Sequence, residues 1–158
     1  MIFGIVSQKG GVGKTTLAQN LGAELSAVGK RVLLIDFDPL GNLSVGWGVN
    51  PDQLEKTVMH ALNQPKKGAD AVIRLRPKIG LLPANDTLTE VGSNKLKKMV
   101  AEMSAAYDVI LIDSPPSFNL LTQSVIDTAD RLLVPLQVHP FAYRASDRMV
   151  KLMSLIHI

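Results

Sequence analysis

Five short apolar runs punctuate the chain: "IFGIVS" (2–7), "RVLLID" (31–36), "IGLLP" (79–83), "DVILID" (108–113) and "RLLVPLQ" (131–137). They are continuously apolar instead of alternating, which predicts strands buried on both faces of a parallel sheet. Longer stretches with helical periodicity separate them. From Thr15 to Val28, Leu17, Leu21, Leu25 and Val28 recur at three- and four-residue spacing, and Gly29 is a natural stop. In "NPDQLEKTVMHALNQ", Asn50 can cap a helix, Pro51 suits its first position and Gln53 can complete a capping box. Leu54, Val58, Ala61 and Leu62 would form its apolar stripe. Leu96, Met99, Val100 and Met103 mark another helix, "NLLTQSVIDTAD" a further one, and the last is predicted from about Ala142 to the chain end. "NQPKKGAD" (63–70) reads as a loop.

Strand–helix alternation of this kind predicts an α/β fold, doubly wound, with a mostly parallel sheet, helices on both faces and right-handed crossovers. Ligands in such folds sit at the carboxyl ends of the strands. The 158 residues fit a single domain. Because the last helix has neither a cap nor a following strand, the domain is expected to lack its C-terminal strands and helices.

Composition narrows the picture in three ways. Aromatic residues make up only 4%, so the core must be aliphatic. No apolar run reaches the length of a membrane span, and "MIFGIVSQ" has no basic region or small-residue cleavage site of a signal peptide. The absence of cysteine excludes disulfides and thiolate-held metals and suits a cytoplasmic protein. The net charge of +3 is mildly basic. Lys66, Lys67, Arg74, Arg76, Lys78, Lys95, Lys97 and Lys98 fall in two clusters, read as solvated faces or, if functional, as contacts to phosphate backbones without sequence readout.

The densest chemistry lies in "SQKGGVGKTT" (7–16), which follows an apolar strand and opens a helix. Gly10, Gly11, Val12 and Gly13 let the backbone curl so that N–H groups face phosphate oxygens, aided by the positive end of the new helix. Lys14 would reach the β- and γ-phosphates of a nucleotide, the Thr15 hydroxyl would bind Mg²⁺, and Thr16 could bond the α-phosphate. Gln8 stands where the ordinary phosphate-loop pattern has its first glycine, leaving the stricter form Lys-Gly-Gly-x-Gly-Lys-Thr. Lys9 is then a second cation with no task inside its own pocket. On the rim it could project toward a nucleotide held by another copy and neutralise charge there, as an arginine finger does.

Carboxylates end the neighbouring strands. "LLIDFDPLGN" places Asp36 and Asp38 at the carboxyl end of the second strand, where they can hold Mg²⁺ through water, orient an attacking water, or simply cap a turn. "YDVILIDSPPS" carries Asp113 after four apolar residues, the pattern of a buried strand bringing an acid to a metal. Pro115 and Pro116 stiffen the turn that follows.

With these motifs the chain resembles the deviant Walker ATPases, most closely the ParA/Soj-type partition ATPases, over residues 2–145. The resemblance implies that Lys9 is the signature lysine contacting nucleotide across a sandwich dimer. Asp36 would support the metal's water shell, and Asp38 would position the hydrolytic water. It further implies ATP and Mg²⁺, a homodimer formed on ATP binding, non-specific DNA, a ParB-like stimulating partner, nucleoid association and no stable membrane association. Leu40 departs from the family's usual glutamine, and His139, Arg144 and Ala145 depart from its usual acidic, acidic and glycine residues, while Pro135, Gln137, Phe141 and Ala142 match. His60 and His157 are read as structural or solvated. Three other readings share the loop: a MinD-like membrane-cycling ATPase, an ATP-dependent ligase or synthetase, and a nucleotide-binding module without catalysis.

Overall fold

A computed structural model describes residues 1–136. The expected helix from Ala142 and the readings on Gln137, His139, Phe141, Ala142, Arg144, Ala145 and His157 lie outside the described residues. Within them is a six-stranded sheet. Its strands are β1 (Ile2–Ile5), β2 (Val32–Asp36), β3 (Ile73–Arg76), β4 (Ile79–Leu82), β5 (Val109–Asp113) and β6 (Arg131–Leu133), in the spatial order β3-β4-β2-β5-β1-β6. All pairings are parallel except β3 with β4. The helices are α1 (Lys14–Ala27), α2 (Asn42–Gly46), α3 (Val58–Asn63), α4 (Ser93–Ser104) and α5 (Leu120–Thr128).

The uninterrupted apolar runs are explained by a sheet covered on both faces. Along β2, Leu33 and Ile35 join one core cluster with residues of α3, α4 and α5, while Val32 and Leu34 join the other with Ala18 of α1 and Leu43 of α2. β5 divides likewise, with Ile110 and Ile112 on one face and Val109 and Leu111 on the other. The doubly wound α/β reading therefore holds, and the apolar positions of α4 are buried as expected.

Helix α1 is rotated from the stripe its leucines predict. Its buried residues are Lys14, Ala18 and Gly22; Leu17, Leu21 and Leu25 flank them half-buried, and Val28 is exposed. Small residues bring the helix axis close to the sheet: a Cβ on Gly22 would lie 2.7 Å from Leu34 Cδ2.

The segment 51–63 is not one helix. A 3-10 turn at Pro51–Gln53 is capped by Asn50, whose side chain accepts from the Asp52 amide at 3.2 Å, and Leu54 is already extended. α3 starts afresh at Val58, whose amide donates to Pro83 O at 2.7 Å instead of to a preceding helical turn. That tertiary bond overrides the local pattern, so neither Gln53 nor Leu54 takes its expected helical role. The stretch expected as a loop coils as a 3-10 segment, Pro65–Ala71, and the edge strand β3 and the short helix α2 were not anticipated.

Gly22→Leu forces α1 off Leu34 and is expected to lower stability by about 1–3 kcal/mol, the usual cost of overpacking a core. Urea denaturation measures it; wild-type stability in the variant would show that α1 has room to move.

Candidate nucleotide site

β1 leads into the glycine-rich loop, and Gly13 turns it into α1 with a left-handed backbone (φ 93°). Lys14, the first helical residue, is buried, and burial pulls its ammonium below the ordinary value against the opposing pull of Asp113 and Asp38. The Thr15 hydroxyl donates to Asp113 Oδ2 at 2.6 Å.

Asp36 and Asp113 face each other in register at the ends of β2 and β5. Both are inaccessible to solvent, at 0% and 1% exposure. Burial raises the Asp36 carboxyl to about 6, although its Oδ2 accepts from the Ser44 amide at 2.9 Å and the Ser44 hydroxyl at 2.7 Å. Burial likewise raises Asp113 to about 7; the Thr15 bond opposes the rise and the nearby Asp36 adds to it. Asp38 lies two residues beyond Asp36, its Oδ1 accepting from the Leu40 amide at 3.0 Å and its carbonyl from the Gly41 amide at 2.9 Å. Gly41 is required there: its φ is 64°, and a Cβ would stand 2.8 Å from the Ala84 carbonyl oxygen.

Around these groups opens a cleft of about 340 Å³. The loop contributes Gly10, Gly11, Gly13, Lys14, Thr15 and Thr16; Asp38, Asn42 and Pro116 close the opposite side. Thus Lys14, Thr15, Thr16, Asp38 and three of the loop glycines converge on the cleft. Asp36 and Asp113 lie beneath, without lining the cleft. Val12 and Lys9 do not line it either; Lys9 is exposed, immediately before Gly10, and its amide donates to Ser7 Oγ at 3.3 Å. Sequence reasoning missed Ser44, which anchors Asp36, and Asn42, which begins α2. The Gly41-Asn42 pair after the two aspartates was the available signal for the start of that helix.

Asp113 Oδ1 is buried and has no hydrogen-bond partner among the described residues. A hard cation beside the Thr15 hydroxyl would satisfy it. The described residues contain no cage of three or more acidic, histidine or cysteine ligands. Two carboxylates and a hydroxyl instead fit magnesium, which keeps much of its water and takes phosphate oxygens as ligands.

A phosphate loop between the first strand and helix, with acids ending the paired strands β2 and β5, defines the site of a P-loop nucleotide-binding protein. Residues 1–158 match the AAA_31 family, an AAA domain, and the chain belongs to that family. Its relatives mark it as a P-loop protein of the ParA type. It is 38% identical over 162 residues to the chromosome partitioning protein ParA of Caulobacter vibrioides, covering 95% of this chain and 61% of that protein. It is 41% identical over 148 residues to the chromosome-partitioning ATPase Soj of Treponema pallidum, covering 87% and 57%. Among solved structures, cobyrinic acid a,c-diamide synthase from Mycobacterium smegmatis with bound ADP and magnesium superposes with a TM-score of 0.89 at 34% identity, covering 98% of this chain and 67% of that one. A variant of Cyanothece McdA in complex with ATP gives 0.87 at 30%, covering 95% and 61%. The chain therefore spans about 60% of the length of the ParA relative.

The two raised carboxyls fix a pH dependence. A folded-state pKa above the unfolded one stabilises the fold at low pH, and that stability is lost as pH rises through the folded value. In EDTA and without nucleotide, the melting temperature is expected to fall between about pH 4, the unfolded Asp value, and the folded values of about 6 and about 7. Asp113→Asn should raise the melting temperature at pH 8 and change it little at pH 5. A flat profile for the wild type would show that neither carboxyl holds a proton in the apoprotein.

Proposed function

We propose that the chain is the nucleotide-binding part of an ATP-driven switch of the ParA type, with ATP and Mg²⁺ in the cleft. The observation that carries this reading is the convergence of Lys14, Thr15 and Asp38 on one cleft, with Asp36 and Asp113 buried beneath it and Lys9 exposed outside it. Lys14 and the loop amides hold the β- and γ-phosphates, and Thr15 with Asp113 holds the metal, Asp36 supporting its water shell. Magnesium, when bound, neutralises charge on the phosphates. Asp38 orients the water that attacks the γ-phosphate. Lys9 leaves its own cleft and reaches the nucleotide of a second copy, where it stabilises charge on the transferred phosphoryl group.

Two clefts closing face to face would cover exposed apolar side chains in the segments that follow β2 and β5. Leu40 and Val45, between β2 and the end of α2, are 70% and 59% exposed, and Phe118 and Leu120, before and at the start of α5, are also exposed. Large apolar side chains left in water favour association. The ATP-bound dimer binds DNA without sequence preference. A ParB-like partner stimulates slow hydrolysis and release, which serves plasmid or chromosome partition or the positioning of another cargo. No helix among the described residues is long and apolar enough to cross a membrane.

The likeness to the diamide synthase favours a second reading, in which the same cleft activates a small carboxylic acid with ATP. ATP turnover would then require that acid and ignore DNA.

Light scattering on Asp38→Ala separates these readings. A dimer in Mg-ATP and a monomer in Mg-ADP are expected, with Lys9→Ala weakening the dimer at unchanged ATP affinity. A monomer in both nucleotides, with binding confirmed, would remove the switch and the role of Lys9.

A further inference from the structure

The amino ends of the strands, opposite the nucleotide cleft, carry a second depression of about 320 Å³. Arg31 before β2, Arg74 and Arg76 on β3, and Lys78 in the β3–β4 turn line it, with Tyr107 and Gly80 at its base. Arg31 is already matched: its guanidinium meets Asp108 Oδ1 at 2.7 Å and holds that carboxyl down at about 2. Arg74, Arg76 and Lys78 make no ion pair among the described residues. Arg74 donates to Pro77 O at 3.2 Å and Lys78 to Gly29 O at 3.0 Å, and the Arg76 guanidinium stacks 5.3 Å from the centre of the Trp47 ring. Each keeps further N–H donors for a ligand.

Arg74 and Arg76 alternate with half-buried Ile73 and Leu75, so both point to solvent, and a register irregularity between them re-aims the edge. Charged residues on an edge strand also deter unwanted pairing. That explains the two arginines of β3 but not Lys78, which lies off the edge strand and borders the same depression. The cations come from separate segments around an open surface, unlike the backbone cradle at the other end of the sheet. Such a spread suits a row of phosphates more than one small anion.

We propose that this depression binds the phosphodiester backbone of DNA, so that the sheet carries a phosphate site at each end. The proposal deepens the DNA-binding reading given above and rests on it. Arg74, Arg76 and Lys78 contact successive phosphates, and the Tyr107 hydroxyl can donate to one of them. The depression lies at the opposite ends of the strands from the cleft, so a dimer closed at its clefts leaves both copies of this site open.

Anisotropy of a labelled duplex of arbitrary sequence, titrated with salt in Mg-ATP, tests it. Arg74→Ala/Lys78→Ala removes exposed side chains bonded only to carbonyls, so the core is untouched. The double variant is expected to bind on the order of tenfold more weakly and to lose about 2 from the salt slope, one per phosphate contact. Its affinity for a fluorescent ATP analogue should not change. Trp47 is the only tryptophan, and its emission should respond to the duplex in the wild type because Arg76 lies against it. Lys97→Ala/Lys98→Ala, which removes two exposed charges on α4 outside the depression, should keep the wild-type slope. Equal losses from both pairs, or an unchanged Arg74→Ala/Lys78→Ala variant beside a wild type that binds, would overturn the site and leave DNA binding standing. A wild type that does not bind the duplex would overturn both.

Discussion

Everything at the nucleotide end of this protein depends on burying charge at the tips of apolar strands. Lys14, Asp36 and Asp113 are all withdrawn from water, and an isolated buried charge is far too costly to persist. The structure lowers that cost with short local bonds. Ser44 gives Asp36 two donors, Thr15 gives Asp113 one, and Lys14 lies in the field of Asp113 and Asp38. Compensation is incomplete, since both carboxyls keep raised proton affinities and Asp113 Oδ1 has no partner. The residual imbalance is what a cation and a polyphosphate would relieve. The neighbouring order of β2, β5 and β1 makes it possible, because it sets the two acids in register beside the loop.

Much of this was legible in the sequence where one strong local signal acted alone. The strands β1, β2, β4 and β5 are apolar runs long enough to declare themselves, and "KGGVGKTT" needs its glycines and lysine in one short stretch. The reading failed where a distant contact decided. Helix α3 begins at Val58 because Pro83 O accepts its amide, and no local pattern contains that partner. α1 turns its small residues inward because Leu34 occupies the space a larger one would need. Ser44 is similar: an unremarkable serine becomes part of the site only because α2 folds back over Asp36. β3 did carry a signal, the alternation of Ile73-Arg74-Leu75-Arg76, but that pattern is not a continuous apolar run like those of the buried strands.

A phosphate loop on this sheet does not by itself decide what ATP is used for. A synthase and partition proteins both superpose on or align with the chain at similar identity. The features that separate the readings lie outside the core of the site. Lys9 is exposed and does not line the cleft, and Leu40, Val45, Phe118 and Leu120 leave apolar surface in water in the segments after β2 and β5. A second copy seated over the cleft would give the exposed apolar side chains a physical reason.

The two ends of the sheet are also charged in opposite senses, with buried acids at the carboxyl end and exposed cations at the amino end. Sheets carry only small net dipoles, so the cations are not needed to balance the strands themselves. Nor does the apolar core require them, for Arg74, Arg76 and Lys78 are exposed. Arg31 differs, because with Asp108 it ties the starts of β2 and β5 together through the guanidinium and its own amide. That pair accounts for one cation by structure alone. The others stand exposed around a common depression, at the end of the sheet that a cleft-to-cleft dimer would leave facing outward.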